Sequence, residues 1–218
     1  MTLAELIVYI NTLYNSNSTS PTFGDEDYTV WTSLLNIAIN IWYSEEGMLW
    51  REMFVKLADA SDGDKTASAG DWSYDCPGDF SFPASAYVWI GTGTNKAAYK
   101  VIDQKNLSMY EDNSDRWCYF LLDGSPTLEF NPNCTVTAGT INYVYYKTAT
   151  NLTVVGSVIE MSDPLFAVFF VLNELKKDEG DASAGAVASQ KLEGMRTRNF
   201  TVAENQIDSL LSMTDGGL

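Results

Sequence analysis

Between Asp27 and Tyr43 the chain sets Val30, Trp31, Leu34, Leu35, Ala38, Ile41 and Trp42 at steps of three and four, with Thr32, Ser33, Asn36 and Asn40 falling mostly between them. That spacing gathers the apolar side chains on one face of a helix. Asp25, Glu26 and Asp27 stand at its start, where the helix dipole and the unpaired first N–H groups favour negative charge. Ile37 and Ile39 widen the apolar face beyond a single stripe. The helix is therefore expected to touch more than one neighbour and to form the centre of a small helical bundle. A Trp and Ile face at this spacing reads as core, not as a ligand pocket.

A first helix is expected upstream. Thr2 and Glu5 have the spacing of a capping box, and Leu3, Leu6, Ile7, Ile10, Leu13 and Tyr14 follow at helical steps. The polar connector from Asn15 to Pro21 ends it and allows the two helices to pair. From Met48 to Leu57 the pattern passes from helix to strand. Residues 58–70 have the composition of an exposed loop or hairpin. Asp59, Asp62 and Asp64 in that loop invite a calcium reading, but the glycine and terminal carboxylate of an EF-hand are not at the required offsets. No metal site and no cofactor is expected.

From Asp71 to Ile159 the pattern changes to short aromatic and β-branched runs between turn residues. They are Tyr87–Ile90, Lys96–Ile102, Trp117–Leu122, Leu128–Phe130, Thr140–Lys147 and Leu152–Val155. Six or seven strands suit a small sandwich or barrel. The Gly-Thr-Gly-Thr-Asn stretch at 91–95 lacks a phosphate-loop lysine and reads as a hairpin turn. Asp163-Pro164 then restarts helix through Leu165, Val168, Phe169, Leu172 and Leu175, with Phe166 and Phe170 extending its apolar face, and Lys176-Lys177 close it. An Ala-rich helix follows from Ala182 to about Arg196. The last stretch, 200–218, is polar, with Phe200, Val202, Ile207, Leu210, Leu211 and Met213 scattered along it. Such a tail makes no core alone and is expected to order on a partner. The expected fold is thus α+β. Residues 1–57 plus 163–199 form the helical bundle, 58–162 an inserted antiparallel β sandwich or barrel, and 200–218 an extended C-terminal tail.

Composition removes several function classes. The 218 residues carry 13 Lys and Arg against 29 Asp and Glu, a formal charge of -16. Binding nucleic acid by phosphate neutralisation does not fit that balance, and neither does an anionic membrane surface. The first residues lack a basic leader and carry Glu5, so they make a poor signal peptide, and no apolar run reaches membrane-spanning length. The sequons at Asn17, Asn106, Asn133, Asn151 and Asn199 then reflect a Thr- and Asn-rich composition. Cys76, Cys118 and Cys134 are widely spaced, without a CxxC pair, and the chain has no histidine. That argues against structural zinc and leaves three free thiols, or one disulfide and one thiol. Without histidine, Ser-His-Asp and Cys-His catalysis are out of reach. Paired carboxylates could hydrolyse a glycoside, yet Asp75, Asp79, Glu111, Asp112 and Asp115 lie in turn-like segments where carboxylates ordinarily cap. The aromatics Trp72, Tyr87, Trp89, Trp117, Tyr119, Tyr143, Tyr145 and Tyr146 could stack sugars, though in a β domain such residues are ordinarily core. No catalytic residue is expected.

One segment resembles a known family. Trp72-Ser-Tyr74-Asp-Cys-Pro77-Gly-Asp79-Phe80-Ser-Phe-Pro83 is similar to the Tyr-x-x-Pro-x-Asp-Phe-x-x-Pro segment after the second helix of tailed-bacteriophage head-to-tail connectors, the portal adaptor or gatekeeper proteins. Gly139-Thr-Ile-Asn-Tyr-Val-Tyr-Tyr-Lys resembles a final strand of that family's insertion, and Met161-Ser-Asp-Pro the approach to its returning helix. The likeness runs from about Leu3 to Asn199. It implies a structural virion protein, not an enzyme: a twelve-fold ring in the neck, assembled in the host cytoplasm, between the portal protein and the tail tube or nozzle. Genomic DNA would pass through such a ring without specific binding. Twelve copies at -16 would carry roughly -190 formal charges, and a channel lined by part of that repels phosphate. The tail residues Phe200, Val202, Ile207, Leu210, Leu211 and Met213 would then be the portal-binding set. The alternatives are another phage tail or baseplate protein, or a carbohydrate-binding module or hydrolase.

Overall fold

The computed structural model describes residues 1–16, 19–46, 48–92, 94–110, 114–179 and 182–214, with 200–214 as backbone alone. The fold is α+β: a few helices and a mixed sheet nearly closed into a barrel. The chain divides into two units, Met1–Glu52 with Ala149–Leu218, and Met53–Thr148.

In the first unit, helix α1 (Leu3–Asn15) opens with the expected capping box. The Glu5 N–H donates to Thr2 Oγ1 at 3.3 Å, and the Thr2 N–H donates to Glu5 Oε2 at 2.8 Å. The Thr2 backbone N–H, which prefers the charged carboxylate, holds Glu5 below the ordinary carboxyl range. Helix α2 (Glu26–Tyr43) follows Asp25, whose carboxylate accepts from the Thr22 N–H at 2.6 Å and steadies the turn before the helix. Its buried side is Tyr28, Trp31, Leu35, Ala38, Ile39 and Trp42. Val30, Ile37 and Ile41 are exposed, so the expected face turns about one residue around the helix.

Leu152–Val155, expected as a strand, belongs to the helical unit instead. The Leu152 N–H donates to Asn36 Oδ1 at 2.7 Å, and Asn36 Nδ2 donates to the Leu152 carbonyl at 3.1 Å. The Leu3 N–H donates to the Ser157 carbonyl and the Ile159 N–H to that of Met1. With its backbone partners on the two N-terminal helices, this β-branched run has no sheet to join. Helix α3 (Leu165–Leu175) packs against α1, against α2 and, most extensively, against α4 (Ser183–Thr214). Helix α4 runs past Arg196, and the backbone of 200–214 is helical where an extended tail is expected.

Among the described residues the second unit holds ten strands: β1 (Phe54–Lys56), β2 (Thr66–Ala67), β3 (Ser73–Asp75), β4 (Phe80–Pro83), β5 (Tyr87–Thr92), β6 (Asn95–Val101), β7 (Trp117–Leu121), β8 (Thr127–Phe130), β9 (Gly139–Asn142) and β10 (Val144–Lys147). Seven form a sheet in the order β2-β9-β5-β6-β7-β8-β3, and three a smaller one, β1-β10-β4. The sheet is not purely antiparallel, because β6 and β7 run parallel, with Lys100 opposite Trp117 and Val101 opposite Cys118. The long connection from 102 to 116, with a 3-10 helix at Gln104–Met109, makes that crossover possible. The sheet's two edge strands nearly meet. The Asp64 N–H donates to the Asp75 carbonyl at 2.8 Å, and the Tyr74 hydroxyl accepts from the Ser68 N–H at 3.1 Å.

Inside lie Val88, Ile90, Tyr99, Cys118, Leu128, Phe130 and Ile141, the alternate residues of their strands. Phe80 stacks between Phe120 (5.0 Å between centroids) and Tyr145 (5.4 Å). All three cysteines are free and buried. Burial pushes the Cys76 thiol up to about 11 and raises those of Cys118 and Cys134. Since the thiolate is the reactive form, Ellman's reagent at pH 8 should leave all three untouched until urea unfolds the chain. Fast labelling of the native protein would contradict this burial.

In the helical unit the Tyr28 hydroxyl and the Trp42 indole N–H are buried without a hydrogen-bond partner among the described residues. Replacing Tyr28 with phenylalanine should therefore raise stability, by about 1 kcal/mol in urea titrations. A comparable loss would mean that the hydroxyl is partnered.

Candidate functional site

The expected docking residues lie on the continuation of α4: Phe200, Val202, Ile207, Leu210, Leu211 and Met213. Their backbone is helical, and their side chains lie outside the described residues. The turn before them is fastened down by polar contacts within the helical unit. Arg196 Nη2 binds the Glu45 carboxylate, and Nη1 donates to Glu193 Oε2 at 3.0 Å, both of which favour the charged guanidinium and raise its pKa. Asn199 Nδ2 donates to the Leu49 carbonyl at 2.9 Å, while Asn199 Oδ1 accepts the Arg51 N–H at 3.2 Å. Asp163, at the start of α3, pairs with Lys191 at 3.3 Å and with Arg198 at 3.8 Å. Five contacts thus fix α4 between Lys191 and Asn199. A hollow of about 330 Å³ lined by Trp50, Arg51, Met195 and Arg198 lies beside these links.

Three of the candidate carboxylates, Asp62, Asp64 and Asp79, act as caps and braces. Asp62 accepts the Gly78 N–H at 3.2 Å, Asp64 Oδ2 accepts that of Asp75 at 2.9 Å, and Asp79 Oδ1 accepts the Tyr145 hydroxyl at 2.8 Å. Glu111 and Asp112 lie outside the described residues. Among the described residues no group of three or more Cys, Asp or Glu is arranged to hold a metal ion.

Residues 72–83 organise the β unit. The Tyr74 hydroxyl joins the sheet edges, and Cys76 and Phe80 enter the core. Pro77 packs so closely on Gly63 (φ +83°) that a Cβ there would stand 2.7 Å from the proline nitrogen. Asp79 holds Tyr145 through its carboxylate, and its carbonyl accepts the Thr148 N–H at 2.7 Å. Replacing Asp79 with alanine strands the Tyr145 hydroxyl, which is fully buried, and should cost about 1–3 kcal/mol in a denaturant titration, with asparagine largely restoring stability.

The aromatics divide into three sets. Tyr143, Tyr145 and Tyr146 are core. Tyr87 and Trp89 are exposed on β5, 6.2 Å apart. Trp72, Trp117 and Tyr119 line one cleft together with Glu129. Glu129 is absent from the residues expected from sequence. Its place between Leu128 and Phe130 marks it as outward-facing, but its neighbours follow from strand register. No family model and no curated protein matches this chain.

The Asn199 links make a direct prediction. Asn199→Leu removes both bonds to 49–51, and hydrogen exchange should quicken in the α4 turn around Met195–Asn199 while α3 keeps its protection. Unchanged exchange would show that the arginine contacts alone secure the turn.

Proposed function

We propose that this chain is a structural virion protein, a subunit of the head-to-tail adaptor ring that docks beneath the portal of a tailed bacteriophage. The observation that carries the reading is the order of the units: one helical unit is built from both ends of the chain around an inserted β unit, and the connector-like segment from Trp72 to Pro83 lies inside that insertion. In this reading the four helices act as a small bundle forming the ring wall, and the β unit faces the tail tube or nozzle.

Two further features support it. Val30, Ile37 and Ile41 form an exposed apolar row along α2, with Leu34 half-buried between them, at the steps of a helix-to-helix seam. Such a row suits contact with the next copy in a twelve-membered ring. The charge of -16 suits a channel wall that DNA passes without adhering. The protein has no catalytic role in this reading and would reside in the virion neck.

The segment 200–218, which begins just after the links at Arg196 and Asn199, supplies the portal contact. Purified protein should co-sediment with intact portal rings of the same virus in a defined copy number. Removal of 200–218 should leave a folded protein that neither binds the rings nor enters particles. Full binding by the truncated form would refute the docking role, and no binding by the full chain would refute the adaptor reading.

A further inference from the structure

The cleft on the outer face of the β unit is built around one carboxylate. Glu129 lies on β8 directly between Ser73 of β3 and Tyr119 of β7 in the strand register. Its Oε1 accepts from Ser73 Oγ at 2.6 Å and from Thr127 Oγ1 at 2.7 Å, so the side chain is locked in place. Among the described residues its Oε2 has no hydrogen-bond partner and no Lys or Arg pairs with the group. Glu129 is half-buried, with Trp72, Tyr119, Leu107 and the nearly buried Trp117 around it. The free volume, about 400 Å³, falls within the usual span of small-ligand sites, roughly 300–1,000 Å³.

The walls are fixed. The Trp72 indole N–H donates to the Cys134 carbonyl at 3.3 Å, and the residue stays 41% exposed. Asn131, fully buried, donates from Nδ2 to the Asp115 carbonyl at 2.8 Å and accepts the Asn133 N–H at 2.9 Å, tying down the loops on either side. Such a cleft loses little freedom when it is filled.

We propose that this cleft receives an arginine side chain of a protein partner. A carboxylate partly withdrawn from water, with one oxygen unclaimed and no counter-ion, is relieved most by a cation. The surrounding rings select among cations. A guanidinium is planar and weakly hydrated, stacks on Trp and Tyr faces, and keeps N–H groups at its edge for the carboxylate, whereas a lysine ammonium is a compact, strongly hydrated charge. A neutral sugar would stack equally well but would leave the charge on Glu129 unanswered. The net charge of -16 adds a long-range attraction for a basic partner segment. The assignment stands on the cleft alone and does not depend on the adaptor reading.

The test follows the indole N–H resonances of Trp72 and Trp117 in the isotope-labelled full chain, with Trp72→Leu, Trp89→Leu and Trp117→Phe assigning the three resonances at issue, during titration with N-acetyl-arginine methylamide. Parallel titrations use the citrulline analogue, which has the same shape without the charge, and chitohexaose and cellohexaose. The arginine probe should give a saturable shift at these two indoles. Binding should be weaker by about tenfold or more with citrulline, and likewise in Glu129→Gln, which keeps the hydroxyl contacts and removes the charge. If Glu129→Gln does not fold, the citrulline comparison on the unaltered protein decides. No shift, equal responses to arginine and citrulline, or a shift at Trp89 instead would overturn the proposal. A response to an oligosaccharide and none to arginine would overturn it in favour of a glycan site.

Discussion

Helix α3 cannot be stable unless it is enclosed. Leu165-Phe-Ala-Val-Phe-Phe-Val-Leu172 is apolar on nearly every side, and Phe166, Ala167, Val168, Val171 and Leu172 are buried. A helix of that kind has no face to give to water, so it must be covered from several directions. The cover comes from α1 and α2 at one end of the chain and from α4 at the other. The chain's two ends are therefore brought into one unit, and everything between Met53 and Thr148 is left to form its own core. The two-part organisation follows from that requirement.

The β unit solves a different problem, closing a mixed sheet without a long edge. Its solution is concentrated in residues 72–83. Tyr74 bridges the two edge strands, Pro77 occupies the space left by a glycine, Asp79 holds the hydroxyl of Tyr145, and Phe80 joins the aromatic stack. Each of these residues satisfies a polar group or fills a gap that another part of the barrel leaves open. The run from Trp72 to Pro83 therefore has a mechanical meaning in this chain: it is the clasp of the sheet.

With 29 acidic and 13 basic residues, most carboxylates have to find neutral donors. Asp25, Asp62, Asp64 and Asp79 do so through N–H and hydroxyl groups. On α4, Lys191, Arg196 and Arg198 are used to fasten the helix just before the proposed docking segment. Glu129 is the contrasting case, held by hydroxyls within an aromatic cleft and without a cation among the described residues.

Periodicity and end signals carried much of the local structure. The capping box at Thr2 and Glu5, the α2 start after Asp25, the restart at Asp163-Pro164 and most of the strands from Tyr87 to Lys147 are legible because each depends on neighbouring residues. So is the composition that argues against histidine chemistry. The tertiary structure decided what depends on distant partners. Val30 and Ile41 read as core by spacing but are exposed, because α3, not α2, takes the middle of the helical unit. Leu152–Val155 reads as strand but is claimed by Asn36. The β6–β7 pair is parallel because a crossover intervenes. Glu129 meets Ser73 and Tyr119 through strand register, which no local pattern encodes. Spacing along the chain specifies which face of an element is apolar, while the choice of what covers that face is a competition among all the elements at once.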